Sequence, residues 1–564
     1  MISRDSASHL TDILRISLLY SIICLIWYGS GISAGLMETG IRPVWWYVVV
    51  FELIALLCFS IFLHPSALRE KSMKSSLLKG MTITAASACL IPSVMIWGMF
   101  VLQFFPVISA ENLTLIVFGP TQPVLFTLII ALVSGLFSTL LSSGIYHMKR
   151  KKPSTGGKAF DIFFSFSKMN LGEGMPSDGL LYANLFRQIQ VADQLGFKRA
   201  WIGEAHFSIK TEQHKPEPLL PHFNGELCIN TDILQIASVS QPLTRQIEIG
   251  SAIRNILVNG GPVAHAEAIR TFLTLHHDEL KKSGRKIQIG FGVGRFAYAN
   301  EVYGVKARNE GEEILWPAIR GLVLRQATEI FLRLLKGEIL GSSDISPSVL
   351  QKKSVKTGED WSRALTSLRL PADCEEILIP PFWEFQSIKI IPEDCDLSCL
   401  ELTLGSHDPD LQVFANQFLP VRVFNLSVTP GKVIDETHVR MAACFHPDGG
   451  PWKREYMPRT IMIFTCADKS LSPEEQDERG YEEAKAAMVA YWQAMEGTVD
   501  QAKVEGGMEN AVYGSPAKVK RMLDEKFHPE DRLMTWFDFN TNDAGVVTKR
   551  MEDFMLHVKP LFDA

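Results

Sequence analysis

The 564-residue sequence has little that would assign it to a nucleic-acid-binding or metal-binding class. Its formal net charge is only −6, and no basic stretch alternates with aromatic residues, so we expect no nucleic-acid partner. The nine cysteines are scattered, and Cys395 and Cys399 lack a second pair at zinc-finger spacing. We therefore expect no metal site, and reduced thiols as in a cytosolic compartment.

A nicotinamide-binding motif is missing too. No Gly-x-Gly-x-x-Gly follows a strand and opens a helix, which disfavours direct binding of a dinucleotide. Charged residues are sparse in residues 1–148, whereas the rest of the chain has an ordinary charged composition. This contrast predicts three parts: a membrane domain at 1–148, a basic linker at 149–158 and a globular domain at 159–564.

The membrane domain is predicted from four apolar stretches at residues 13–34, 44–63, 81–104 and 124–146. Each is close to the roughly 20 residues that a helix needs to cross a bilayer. The second stretch contains Glu52, which is either a proton-relay or ligand residue, or a carboxyl that is protonated or paired within the packing of the four helices. Basic residues between the second and third stretches and after the fourth predict a multi-pass protein of the cell membrane with both termini and the globular domain in the cytoplasm. They are Arg69, Lys71, Lys74, Lys79 and Lys149 to Lys152.

The globular domain alternates strand and helix patterns. A strand begins at Phe160, and a helix pattern from about Ser177 to Gly196 leads into the apolar strand that ends at Ile202. Further strand patterns at 247–253 and 287–294 are separated by a helix whose first turn contains Pro262. Such repeated units predict the α/β class and a TIM-type (β/α)8 barrel with insertions, with a doubly wound open sheet as the alternative.

The strand that contains Trp201 and Ile202 ends abruptly in Glu204 and His206. Side chains at the carboxyl ends of barrel strands face the active site. An acid and an imidazole at this position are therefore candidates for proton transfer, and histidine suits this role near neutral pH.

Five segments together resemble the bacterial luciferase-like flavin-dependent monooxygenases, in the order of that family. They are W-I-G-E-A-H-F at 201–207, I-G-S-A-I at 249–253 followed by P-V-A-H-A-E, G-R-K-I-Q-I-G-F-G-V-G-R at 284–295, L-T-L-G-S-H at 402–407 and Y-G-S-P at 513–516. The resemblance covers nearly all of residues 159–564 and none of the membrane domain. It implies a barrel that binds a reduced flavin at the carboxyl ends of its strands, with reduced FMN as the expected cofactor.

The resemblance also implies where the flavin phosphate lies. The backbone at Gly292 and Gly294, the guanidinium of Arg295, and the loop Gly405, Ser406 and His407 are the expected cofactor-binding residues. An arginine fork and the exposed amides of a helix start are both suited to a phosphate. Whether His407 donates to the phosphate or only caps the turn is open.

The sequence departs from the luciferase pattern at Ala205. The luciferase alpha subunit has two adjacent histidines after this glutamate, and the first is its catalytic base; here only the second is present, as His206. We expect His206 to take over as proton shuttle, with Glu204 beside it. The alternatives are a substrate that needs no base, or a barrel that binds flavin without oxygenating anything.

These observations predict a membrane-anchored flavin-dependent monooxygenase that uses reduced FMN and oxygen on an organic, lipophilic substrate. A separate flavin reductase is the expected partner, and a homo-oligomer is left open. A deazaflavin-dependent oxidoreductase is the nearest alternative. The other is a flavin or metabolite sensor coupled to the membrane domain.

Overall fold

The computed structural model describes residues 158–169, 174–214, 218, 220–294 and 296–563. The four predicted spans, Glu52, nearly all of the basic linker and Arg295 lie outside these residues, so the expectations about them stay predictions. Among the helices in the described ranges, none combines the length and the hydropathy needed to cross a bilayer.

The thirteen strands within the described residues are mostly short. They are β1 (Phe160–Phe164), β2 (Lys168–Met169), β3 (Arg199–Ile202), β4 (Gly225–Glu226), β5 (Glu248–Asn255), β6 (Ile287–Gly292), β7 (Ser348–Gln351), β8 (Glu376–Ile379), β9 (Leu400–Leu404), β10 (Val421–Val423), β11 (Arg459–Thr465), β12 (Ala511–Gly514) and β13 (Leu533–Trp536).

Thirteen α-helices accompany these strands in the described part of the chain. They are α1 (Asp178–Leu195), α2 (Ile209–Gln213), α3 (Ile233–Leu243), α4 (Gly261–Ser283), α5 (Ala297–Val302), α6 (Glu310–Lys336), α7 (Gly358–Ser367), α8 (Pro409–Ala415), α9 (Gly431–Cys444), α10 (Pro473–Glu496), α11 (Gln501–Glu509), α12 (Pro516–Lys526) and α13 (Ala544–Asp553). A short π-helical turn, Phe554–Val558, continues α13.

The main sheet is parallel, in the order β10-β9-β6-β5-β3-β1-β13-β11-β12. It closes on itself at Asn425, just beyond β10, which forms a parallel bridge with Arg459 at the start of β11. The Asn425 amide donates to the Pro458 carbonyl at 2.9 Å, and the Thr460 amide donates to the Asn425 carbonyl at 3.3 Å. Eight strands thus form a barrel, and β12 pairs with the carboxyl-terminal half of β11. The α/β class and the parallel sheet are confirmed.

The barrel floor is held by buried ion pairs. Arg532 bonds both carboxylate oxygens of Asp161, at 2.6 to 3.0 Å, and the indole N–H of Trp201 donates to Asp161 at 3.0 Å. Arg199 bridges Glu248 and Glu401 at 2.9 Å each. Trp201 packs in one cluster with Phe163, Ala252 and Met534 of three other strands and with Phe424, which follows β10. A filled floor leaves the carboxyl end as the place for a site.

The helix boundaries agree with the sequence signals. Ser177 caps α1 through its hydroxyl, and Gly196 ends that helix in the left-handed conformation with φ 92°. Pro262 lies in the first turn of α4, and Ser515 caps α12. The long segment between β6 and β9 contains α6, whose Ile330, Leu332, Leu334 and Leu335 are fully buried against the core. It is therefore a packing helix rather than a lid.

Candidate active site at the carboxyl ends of the strands

Asn230 fixes the backbone where β3 ends. Its side-chain amide donates to the Gly203 carbonyl, and its own carbonyl accepts from the Ala205 amide, both at 2.9 Å. Gly203 has no space for a side chain, because a Cβ atom there would lie 2.9 Å from the Ser165 carbonyl. These contacts hold Glu204 and His206 on either side of a pinned residue, Ala205.

The Glu204 carboxyl is nearly removed from solvent, with 1% of its side chain exposed. Ser251 donates to its Oε2 at 3.1 Å, and Nη1 of Arg254 lies 3.4 Å from its Oε1. No described atom forms a hydrogen bond with Oε1. Burial raises the pKa of Glu204 to about 7, against the opposing effect of the Arg254 charge.

Arg254, on β5, links the carboxyl to a histidine on α4. Its Nε donates to Nδ1 of His265 at 2.7 Å, and its Nη1 donates to Asp232 at 2.8 Å. His265 is 1% exposed, and its other ring nitrogen, Nε2, lies 3.0 Å from the Val258 carbonyl. The carbonyl can only accept, so Nε2 carries the proton. Burial, followed by the Arg254 charge, lowers the pKa of His265 to about 3.

His206 has an unpartnered nitrogen inside the site. Its Nε2 is buried and forms no hydrogen bond with any described atom. Burial lowers the pKa of His206, and the Arg254 charge acts in the same direction. The ring is therefore neutral near pH 7, with a polar atom available to a ligand.

Three aromatic side chains lie close to the backbone at His206 and Phe207. The Tyr298 hydroxyl, on α5, lies 3.5 Å from the His206 carbonyl. Phe207, which has a left-handed backbone (φ 64°), packs against Tyr303 with ring centroids 5.7 Å apart. Both rings remain about two-fifths exposed, at 43% and 42%. Exposed aromatic surface therefore lies next to His206 in the chain.

Asp538 is a second buried carboxyl at this edge, just after β13. It accepts hydrogen bonds from the amides of Ser165 and Phe166 and from the Ser165 hydroxyl, at 3.0 to 3.1 Å. Burial raises its pKa. Because its oxygens are bonded to the end of β1, its evident role is to join the first and last barrel strands.

The predicted cofactor-binding glycines lie together on β6 and β9. A Cβ atom on Gly292 would be 3.4 Å from the Gly405 carbonyl. A Cβ atom on Gly405 would be 1.9 Å from Cδ1 of Ile253, and one on Gly294 would be 2.8 Å from Asn255. Gly294 also has φ 70°. Packing within the barrel therefore requires glycine at Gly294 and Gly405 even without a cofactor. At Gly292 a Cβ atom would fit in ordinary van der Waals contact.

The loop that contains Ser406 and His407 lies at the same edge. The free backbone amides at the start of the following helix, α8, already have a hydrogen-bond acceptor. Asp408 accepts from the amides of Asp410 and Leu411, the first free amides of α8. The Ser406 hydroxyl accepts from the Asp408 amide at 3.2 Å, and Nε2 of His407 lies 3.4 Å from the Thr429 hydroxyl. A phosphate here would bind to the loop rather than to the helix terminus on which our prediction relied.

The structure thus brings the predicted residues that it describes to one edge, with Glu204 and His206 just after β3 and the glycines at the ends of β6 and β9. Between them lies β5, which supplies Ser251 and Arg254, two residues that the sequence reading missed. An arginine in the otherwise uncharged stretch I-G-S-A-I-R-N was the available signal.

Solved structures of several monooxygenases are similar to this chain. Monooxygenase RslO1 from Streptomyces bottropensis matches with a TM-score of 0.49 and 14% identity, over 72% of this chain and 99% of that chain. The oxygenating constituent of 3,6-diketocamphane monooxygenase from Pseudomonas putida, in complex with FMN, matches with a TM-score of 0.43 and 12% identity, over 72% of this chain and 99% of that chain. An F420-dependent secondary alcohol dehydrogenase matches with a TM-score of 0.37 and 11% identity, over 71% of this chain and 99% of that chain.

No family model matches the sequence, and no curated protein does either.

Proposed function

We propose that this chain is a flavin-dependent monooxygenase that uses reduced FMN and oxygen on an organic substrate. The observation that carries the proposal is that two buried atoms at the carboxyl edge, Oε1 of Glu204 and Nε2 of His206, have no hydrogen-bond partner among the described residues. Buried polar atoms normally have hydrogen-bond partners, so both atoms are suited to a ligand that enters the barrel. A carboxyl with a pKa of about 7 beside a neutral imidazole is suited to proton transfer.

The residues present fit a flavin at this edge. Gly292 allows close approach of a planar group, and the Ser406 hydroxyl and the His407 ring lie on the next strand end. Reduced flavin would supply two electrons, so that one oxygen atom of dioxygen enters the substrate and the other leaves as water. The chain itself would orient the ring system, exclude water and exchange a proton at Glu204 or His206.

The exposed aromatic surface beside His206 favours a lipophilic substrate. Phe207 and Tyr303 expose apolar ring surface next to His206, where a charged substrate would lose hydration without gaining a partner. The four predicted spans would place the barrel beside a membrane, which concentrates such compounds. A separate reductase would supply reduced FMN.

The test uses the full-length chain, titrated anaerobically with reduced FMN and then exposed to labelled dioxygen with a panel of lipophilic and water-soluble compounds. We expect label in a lipophilic product, and loss of product formation in the double variant Glu204→Gln, His206→Ala. Flavin binding without any product would favour a sensor. Oxidation of a reduced deazaflavin without oxygen uptake would favour the deazaflavin enzyme.

The phosphate subsite is tested by the affinities of FMN and riboflavin, which differ only in the phosphate. Removal of the hydroxyl in Ser406→Ala should weaken FMN binding by about 10-fold or more, as expected for a hydrogen bond to a charged group, and leave riboflavin binding unchanged. Ser427→Ala, on the loop after β10, is the matched control. Equal losses for both flavins would place the phosphate elsewhere.

A further inference from the structure

Arg254 occupies the centre of the candidate site, although no sequence pattern assigned it a role. We propose that Glu204 is the group that carries the proton, and that Arg254, held by His265 and Asp232, keeps His206 neutral and limits how strongly the buried carboxyl holds its proton. Arg254 and His265 would then be positioning residues, and Glu204 the catalytic acid–base. This inference rests on the proposed function, because it divides the work within the same acid–imidazole pair.

His265 fixes one end of Arg254. The proton of its ring lies on Nε2, which donates to the Val258 carbonyl, so Nδ1 presents a lone pair to Nε of Arg254 at 2.7 Å. A protonated ring would turn an N–H toward the guanidinium and break this bond. Nδ1 of the neutral His265 ring thus accepts the hydrogen bond from Nε of Arg254 and fixes the orientation of the guanidinium.

The other edge of Arg254 lies between two carboxylates. Nη1 is 2.8 Å from Oδ1 of Asp232 and 3.4 Å from Oε1 of Glu204, and the arginine side chain is only 2% exposed. Asp232 is the better bonded of the two, and its Oδ1 also accepts from the Leu234 amide at the start of α3. The guanidinium charge of Arg254 is therefore balanced mainly by Asp232, the closer carboxylate. The negative charge of an ionised Glu204 is compensated by Arg254 only in part.

This arrangement separates the two candidate proton carriers. A buried cation opposes a second positive charge nearby, so protonation of His206 is disfavoured by Arg254 as well as by burial. Glu204 instead gains a proton readily, because burial acts on it more strongly than the partly shared charge of Arg254. Near neutral pH the carboxyl would accept a proton from the bound ligand and return it later, while the imidazole donates or accepts a hydrogen bond.

The other groups that face Glu204 do not change this assignment. Ser251 donates a hydrogen bond to it, and the Ile233 amide at the start of α3 lowers its pKa slightly. The Cys228 thiol, which also senses Glu204, is neutral near pH 7 because burial raises its pKa to about 12. Among the described residues, the charges that act most on Glu204 are those of Arg254 and Asp232.

The first test measures the carboxyl directly, by infrared titration of the full-length chain. The band of a buried protonated carboxyl, identified by its absence in Glu204→Gln, should disappear with a midpoint near pH 7. In Arg254→Met the midpoint should rise by about one unit or more, because an attractive charge is lost. His265→Leu should raise it less, and His265→Asn, whose carbonyl can replace Nδ1, should leave it unchanged. The exposed Arg187→Met is the matched control.

The second test uses the pH profile of kcat/KM for oxygen incorporation. We expect Glu204→Gln to abolish the inflection near neutral pH and His206→Asn to keep it at a reduced rate. The opposite pattern, or an infrared midpoint that does not respond to Arg254→Met, overturns the inference even if the chain is a monooxygenase. A midpoint that moves as expected in a chain without flavin activity would support the control of Glu204 by Arg254, but it would reject both the proposed function and the catalytic role of Glu204.

Discussion

The side chain of Ile253 fills the space that a Cβ atom on Gly405 would need. The ideal position of that atom is 1.9 Å from Cδ1 of Ile253, far inside any real contact distance. Ile253 lies on β5, and Gly405 follows β9, so the contact reaches over the end of β6 between them. It connects the strand that supplies Arg254 with the loop predicted to hold the flavin phosphate.

Gly405→Ala should therefore disturb both the barrel and the cofactor site. We expect a loss of unfolding free energy of about 1–3 kcal/mol, as for overpacked cores, together with weaker FMN binding. Calorimetry and flavin fluorescence measure the two effects. The matched control is Gly431→Ala at the start of α9, where an added Cβ meets no atom within 4 Å. Gly405→Ala with Ile253→Ala should recover part of the loss, and equal damage in the single and double variants would contradict the packing explanation.

Glu204 should make the stability of the barrel fall as pH rises. Its folded pKa of about 7 exceeds the ordinary carboxyl value, so the folded state retains a proton that the unfolded state has lost. The resulting loss develops between about pH 4.5 and 7 and is complete above that range. Glu204→Gln cannot ionise, and its melting temperature relative to wild type should increase from pH 5 to pH 8. The exposed Glu436→Gln should show no such trend.

His265 should have the opposite pH dependence. Its pKa in the folded state is about 3, so it stays neutral where an unfolded histidine binds a proton, and stability is lost as pH falls below about 6.5. His265→Asn removes this titration and should resist acid better than wild type. His265→Leu also removes it but leaves Arg254 without its acceptor, which should cost about 1.5–3 kcal/mol at every pH. Identical acid sensitivity of wild type and His265→Asn would contradict a buried neutral ring.

The floor of the barrel should tolerate paired changes better than single ones. Arg532→Met leaves the side chain of the fully buried Asp161 with the indole N–H of Trp201 as its one hydrogen-bond donor among the described residues, and we expect a loss of about 3–5 kcal/mol. Adding Asp161→Asn should recover part of it. Denaturant unfolding measures both, and the exposed Arg187→Met should change stability by less than about 0.5 kcal/mol. A larger loss in the double variant than in Arg532→Met would show that the ion pair is not the cause.

Local signals in the sequence predicted much of the fold. The cap at Ser177 and the left-handed Gly196 give the bounds of α1, and the abrupt polar end of the strand at Trp201 gives the site edge. These features depend on neighbouring residues, so they can be read from the sequence. The repeated units then predicted the parallel sheet, which the strand pairing confirms.

The electrostatics of the site could not be predicted in the same way. The link between Arg254 and His265 depends on how α4 packs over β5, and the placement of Asp232 depends on the start of α3. Such distances arise from tertiary packing, which residue spacing does not encode. The phosphate loop was predicted as a helix-start site, but the side chain of Asp408 competes for those amides.

β12 adds a strand to the sheet only at the carboxyl-terminal half of β11. The start of β11, at Arg459, bridges Asn425 beyond β10, whereas residues Met462 to Thr465 of β11 pair with β12. The added strand lengthens the sheet at that level by about 4.8 Å, the usual spacing between paired strands. In the strand order β12 lies across the barrel from β3 and β5, so this additional strand belongs to the wall opposite the acid–imidazole pair.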